Sequence, residues 1–134
     1  MDLSLLPGSW ELLEDPDLPH PIELVGRKSK EGYIDCIVIF YPREHLIVVT
    51  KPKVIWSGHS PLVVPGSAIG TFTFYYRMGT SPPEELVTAI ARVGAMAQKD
   101  WRRCFSCRAR KPYGFMQNRK VCMACAPEIL GITY

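Results

Sequence analysis

The chain reads as an α+β protein. It combines a mostly antiparallel sheet of about four to six strands, packed on one long helix, with a small four-cysteine zinc finger. Three observations carry this reading. Residues 22–78 hold short runs rich in Val, Ile and aromatic residues, separated by Gly and Pro turn signals. Residues 82–102 carry an apolar stripe at helical spacing. Two Cys-x-x-Cys pairs, Cys104/Cys107 and Cys122/Cys125, stand near the C-terminal end. The organisation expected from these signals is a proline-rich acidic arm (1–21), a sheet-plus-helix body (22–103) and a zinc finger (104–134).

In chain order, the arm contains Pro7, Pro16, Pro19 and Pro21. Ser9–Glu14 is expected to form one helical turn capped by Ser9. Leu5, Leu6, Trp10, Leu12 and Leu13 are too apolar for a free tail, so the arm should pack on the body or dock elsewhere with Trp10 as anchor. Ile22–Val25 reads as a first strand ended by Gly26. Tyr33–Tyr41 is the strongest strand, with Ile34, Cys36, Val38 and Phe40 on one face and Tyr33, Asp35, Ile37, Ile39 and Tyr41 on the other. Both faces are largely apolar, which predicts a central strand, and Cys36 is expected there as a small buried hydrophobe.

Pro42–His45 is a hairpin-length loop and Leu46–Thr50 returns antiparallel. Lys51-Pro52-Lys53 should interrupt before a short strand, Val54–Trp56. Ser57–Gly70, with Pro61, Pro65 and several glycines, reads as a long loop. Thr71–Met78 alternates and should close the sheet, with Thr71, Thr73, Tyr75 and Arg77 outward as a solvated or base-stacking face. Ser81-Pro82-Pro83-Glu84 is a capping box with Pro at the first helical position. Leu86, Ile90, Val93, Ala97 and Trp101 then form the stripe that should face the sheet. Gly94 inside this helix predicts a tight contact or a slight bend. The helix leads straight into Cys104, so body and finger should move as one.

Composition narrows the function classes. The 134 residues suit one domain with a small satellite. No apolar run approaches the ~20 residues of a membrane helix, and the N-terminal residues lack a secretory pattern. Cysteines in metal spacing point to a reducing, cytoplasmic setting. Residues 1–26 carry six acids and no Lys or Arg, whereas 99–120 carry eight basic residues against Asp100 alone. The basic end is expected to meet an acidic partner or to be neutralised within the fold. Arg102, Arg103, Arg108, Arg110, Lys111, Arg119 and Lys120, with Trp10, are the candidate partner-binding residues.

The paired cysteines converge on one tetrahedral ion when two knuckles face each other, and four thiolates suit a structural Zn²⁺ with no open position. Two disulfides, free thiols or an iron–sulfur cluster are the other uses of such a set. Beyond the spacing there is a resemblance. Cys-x-x-Cys, three residues, Lys111-Pro112, two residues, Phe115, a basic tract and Cys-x-x-Cys resemble the small zinc knuckle frequent in bacteriophage proteins, related to the treble clef of HNH and recombination-endonuclease-VII proteins. It covers residues 104–125 and leaves 1–100 without a family. The resemblance implies Cys104, Cys107, Cys122 and Cys125 as ligands, Phe115 beneath the metal, and a short helix over 123–130 stopped by Gly131. No histidine follows His59, so the general base of HNH nucleases is missing from its place. Gly-rich phosphate loops and Gly-x-Ser-x-Gly elbows are also absent from the sequence.

The expectation is a small non-enzymatic regulatory protein, host-cytoplasmic if phage-encoded. It would dock on the transcription machinery (RNA polymerase or an associated factor) and/or on DNA or RNA, with no membrane and no small-molecule substrate. The sheet body, proline-rich arm and long apolar loop offer more docking surface than a bare DNA binder needs and favour the protein partner. A metal-dependent HNH-like nuclease and a zinc scaffold are the alternatives.

Overall fold

The computed structural model describes the chain except residues 1–5, 7, 15–17, 20, 58–59, 74–83 and 132–134. Five strands form one antiparallel meander: β1 (Ser9–Leu13), β2 (Glu23–Lys28), β3 (Ile34–Tyr41), β4 (Leu46–Ser57) and β5 (Ser60–Thr73), in that spatial order. Helix α1 (Glu84–Gln98) follows. A two-stranded ribbon, β6 (Arg102–Arg103) with β7 (Arg110–Lys111), and a short helix α2 (Ala126–Leu130) complete the C-terminal knuckle. The expected α+β class, with one helix and a closing four-cysteine cluster, is the observed one.

β3 lies third of five, and its residues 34–40 are all buried, as its apolar faces require. One face packs on α1: Val25, Cys36, Val38, Phe40, Ile47 and Val49 meet Leu86, Ile90 and Val93. The other face gathers Leu24, Ile34, Ile37 and Ile39 under Leu13, Leu18, Val48 and Val63. Ile34 therefore sits on the face opposite to the expected one. The cause is a bulge: Arg27 pairs with Cys36 and Lys28 with Ile34, so Asp35 is the extra residue and the alternation resets there.

That bulge creates the main polar feature of the core. Asp35 is only 2% exposed. Its carboxylate accepts two bonds from the Arg27 guanidinium, from Nε at 2.9 Å and Nη2 at 3.1 Å, and one from Gln98 Nε2 at 2.8 Å. A buried carboxylate needs such partners. Gly94 supplies the room, because a Cβ there would overlap Arg27 Nη2. The tight contact expected at Gly94 is thus with an ion pair reaching across from β2.

Three local expectations are corrected. Ser9–Leu13 is a strand, with Leu12 opposite Val25 and Leu13 opposite Leu24, and not a helical turn. Pairing with β2 outweighs the weak local preference of a single capped turn. The segment 57–70 is mostly strand, not loop, and Lys51-Pro52-Lys53 does not interrupt β4. Prolines are tolerated here because β5 is an edge strand and β3 pairs with β4 only up to Thr50. Beyond Thr50, β4 and β5 form a two-stranded ribbon, with Pro52 opposite Pro65 and Trp56 opposite Pro61. Register shifts at Val49/Thr50 and Thr50/Pro52 bend it. Ile55, Trp56 and Leu62 are exposed along the ribbon.

The arm packs on the body, as its apolar content required, through the buried Leu6 and half-buried Trp10. α1 ends at Gln98, earlier than expected. Tight turns then keep Trp101 buried outside the helix, its N–H donating to the Gln98 carbonyl at 3.2 Å. The Ser81–Pro83 cap and the strand residues 74–78 lie outside the described residues. Among the described residues no helix is long and apolar enough to cross a membrane.

Candidate metal centre

The knuckle is built from two reverse turns. In the first, Cys104 N–H donates to the Ala109 carbonyl and Arg108 N–H to the Cys104 carbonyl, both at 2.9 Å. Closing this turn places Arg108 at φ 66°, a left-handed conformation uncommon outside glycine. In the second, Cys125 and Ala126 donate to the Cys122 carbonyl at 3.1 and 2.9 Å, leading into α2. α2 ends at Gly131 with φ 67°, the stop expected for it. The Asn118 side chain accepts from the backbone N–H of Lys120 at 2.8 Å and of Val121 at 2.9 Å, fixing the turn before the second pair. Phe105 N–H donates to the Lys120 carbonyl at 2.6 Å and joins the halves.

These bonds bring the sulfurs of Cys104, Cys107, Cys122 and Cys125 to within 4.8 Å of one another, a group that could hold a metal ion. Cys107 and Cys122 Sγ are 3.9 Å apart, and no disulfide joins any of the five cysteines. Backbone N–H groups of Cys107 and Cys122 point at Cys104 Sγ from 3.5 and 3.4 Å. Burial pushes the Cys104 thiol up, but these donors outweigh it and bring its pKa down to about 6. Cys122 is also lowered: burial opposes ionisation, and Lys111 Nζ, 3.2 Å from its sulfur, reverses the balance. Cys125 is raised to about 12 by its bond to the Cys122 sulfur. Cys36 lies apart in the core and is raised to about 12 by burial, in keeping with an inert packing role.

The side chain packed beside the sulfurs is not the expected Phe115. Met116 packs with Cys104, Cys122 and Cys125. Phe115 turns to the body and meets Tyr33 edge-on at 5.1 Å. Strand-like pairing of Met116 with Cys122 turns Met116, not its neighbour, toward the sulfurs. Gly114 seats the same loop on β4, since a Cβ there would lie 2.5 Å from Val54 Cγ1.

The candidate binding residues divide into two groups. Arg110 and Lys111 are half-buried and engaged inside the fold. Arg110 donates to the Gln98 carbonyl at 2.6 Å and to its side-chain oxygen at 3.3 Å, with its guanidinium 5.9 Å from the Trp101 ring. Lys111 lies between Cys122 and the Tyr33 ring. Trp10 packs against the core. Arg102, Arg103, Arg108, Arg119 and Lys120 are exposed. All but Arg102 line one groove of about 520 Å³, with Phe105 beside them and Cys104 and Val121 completing its wall.

Sequence reasoning missed Phe105, which is 67% exposed and carries the Arg108 guanidinium 5.2 Å from its ring centre. The available signal was a large aromatic at a position between two ligands that a small polar residue can fill. His45 is in the turn at the end of β3 remote from Tyr33 and the knuckle. His20 and His59 lie outside the described residues. No family model, no curated protein and no solved structure matches the chain.

Proposed function

We propose that the chain is a zinc-stapled, non-catalytic regulatory module that docks its knuckle on nucleic acid, in the setting of the transcription machinery. Zinc is the ion that suits this donor set. Tetrahedral Zn–S bonds of about 2.3 Å place sulfurs roughly 3.8 Å apart, close to the 3.9 Å between Cys107 and Cys122. Four thiolates on Zn²⁺ leave net negative charge, which the Lys111 ammonium and the N–H donors around Cys104 offset. An ion saturated by thiolates has no open position for water or substrate, which favours a structural over a hydrolytic role.

The observation that carries the docking reading is the groove: Arg103, Arg108, Arg119 and Lys120 line it and, among the described residues, no Asp or Glu does. Such a surface attracts a polyanion, and each phosphate it neutralises steepens the salt dependence of binding. The test is fluorescence anisotropy with labelled oligonucleotides across a salt series, alongside elemental analysis for one zinc per chain. The joint change Arg103→Gln, Arg119→Gln, Lys120→Gln should remove binding and flatten the slope. Unchanged affinity in that variant, or cleavage of DNA by the wild type with Mg²⁺ or Mn²⁺, would overturn the reading.

A second reading has its own observation. The ribbon of β4 and β5 exposes the cross-strand pair Ile55 and Leu62 on one face and Trp56 on the other, apolar side chains of the kind that dock on protein, RNA polymerase included. Capture from lysate that survives nuclease treatment and is lost on Trp56→Ala would favour it.

A further inference from the structure

We infer that the knuckle groove selects single-stranded nucleic acid, with one unpaired base stacked on Phe105 and the flanking phosphates held by Arg103, Arg119 and Lys120. This deepens the docking reading above and rests on it. The cations alone do not separate a duplex from a single strand, since both present phosphates. Phe105 does. A large aromatic side chain 67% exposed among four cations is placed for a flat, apolar partner attached to an anion. In a duplex the base faces are already stacked on each other, whereas a single strand can turn one outward onto an aromatic ring.

The ring is held ready. The Arg108 guanidinium lies 5.2 Å from the ring centre. The Arg108 backbone is pinned on both sides: its N–H bonds the Cys104 carbonyl, and its own carbonyl accepts from the Arg103 guanidinium. The opposite wall is fixed too. Phe105 N–H bonds the Lys120 carbonyl, and Asn118 holds the turn that carries Arg119 and Lys120. Neither wall has to be ordered when the strand arrives, so stacking and charge act together at small entropic cost. Arg108, stacked on the ring, can extend the platform to a second base or a phosphate.

The test uses the full-length zinc-loaded protein, short single-stranded oligonucleotides containing 2-aminopurine, and the same sequences as duplexes. The wild type should bind the single strand at least tenfold more tightly than the duplex and quench the 2-aminopurine on stacking. Phe105→Leu should lose about tenfold in single-strand affinity, together with the quench, and leave duplex affinity unchanged. Phe105→Trp should restore both. Equal zinc content in all proteins shows that the knuckle is intact. If Phe105→Leu changes neither affinity nor quench while the cation variant loses binding, the stacking inference falls and the docking reading stands. If the wild type binds neither form, or binds an acidic peptide as tightly as the oligonucleotide, both fall.

Discussion

At the scale of single residues, the fold turns on positions where one atom decides the neighbour's place. Gly94 is such a position. Alanine in a helix is ordinarily better than glycine by about 1 kcal/mol. Here the added methyl would displace the Arg27 guanidinium from Asp35, and a buried carboxylate losing a charged partner costs more than that. Gly94→Ala should therefore destabilise by about 2 kcal/mol in urea denaturation. In an Arg27→Met/Asp35→Asn background the same change should be neutral or stabilising, and that change of sign is the measurement that checks the cause. Cys36 offers a pH signature. Its folded-state pKa is raised from 9.0 to about 12, so the folded chain holds this proton more tightly than the unfolded chain. The associated stability is complete below pH 9 and is lost as pH rises towards 12. Stability measured against pH should fall more steeply over that window for the wild type than for Cys36→Ala, although the variant starts lower because of its cavity.

At the scale of elements, the ribbon and the knuckle meet through a contact that admits no side chain. Gly114 approaches Val54 so closely that a Cβ would lie 2.5 and 2.6 Å from two of its carbons. Gly114→Ala should cost about 1–3 kcal/mol by overpacking. Pairing it with Val54→Gly, which removes both carbons, should recover at least about 1 kcal/mol relative to the sum of the single changes, read from a double-mutant cycle. This contact also marks what the sequence could and could not reveal. Long apolar runs were legible: β3 has two apolar faces, and α1 has a stripe that only one packing satisfies. The cysteine cluster was legible because ligand spacing is local. β1 and β5 were not, because their strand character comes from partners. Ser9–Leu13 is extended because β2 is beside it, and the prolines of β5 are harmless only on an edge. Nor could charge counting separate Arg110 and Lys111 from Arg119 and Lys120. The first two are turned inward by β7 toward Gln98 and Cys122, a tertiary fact with no local sign.

At the scale of the whole molecule, the question is whether the proposed metal would stabilise more than its own site. Among the described residues several links cross between knuckle and body, the Lys111 ammonium over the Tyr33 ring among them. The chain of bonds from Arg27 through Asp35 and Gln98 ends on Arg110. Tyr33 meets both Phe115 and Trp101 edge-on. Gly114 rests on Val54. Binding of a structural zinc contributes on the order of 10 kcal/mol to folding of its own site, but the body receives only what these links transmit, about 1 kcal/mol for each hydrogen bond. Removal of metal by a chelator should therefore unfold 104–131 outright and lower the stability of the sheet by about 2–4 kcal/mol, without unfolding it. Native-state hydrogen exchange can read both effects in one experiment. Amides of β3 and of the last turn of α1 should lose protection, whereas β1, which makes none of these links, should change least. Equal protection of β3 with and without metal would mean that the two modules are mechanically independent. Oligonucleotide binding, followed in the same titration, should fall in proportion to the metal removed, because both walls of the basic groove are hung from the two cysteine turns.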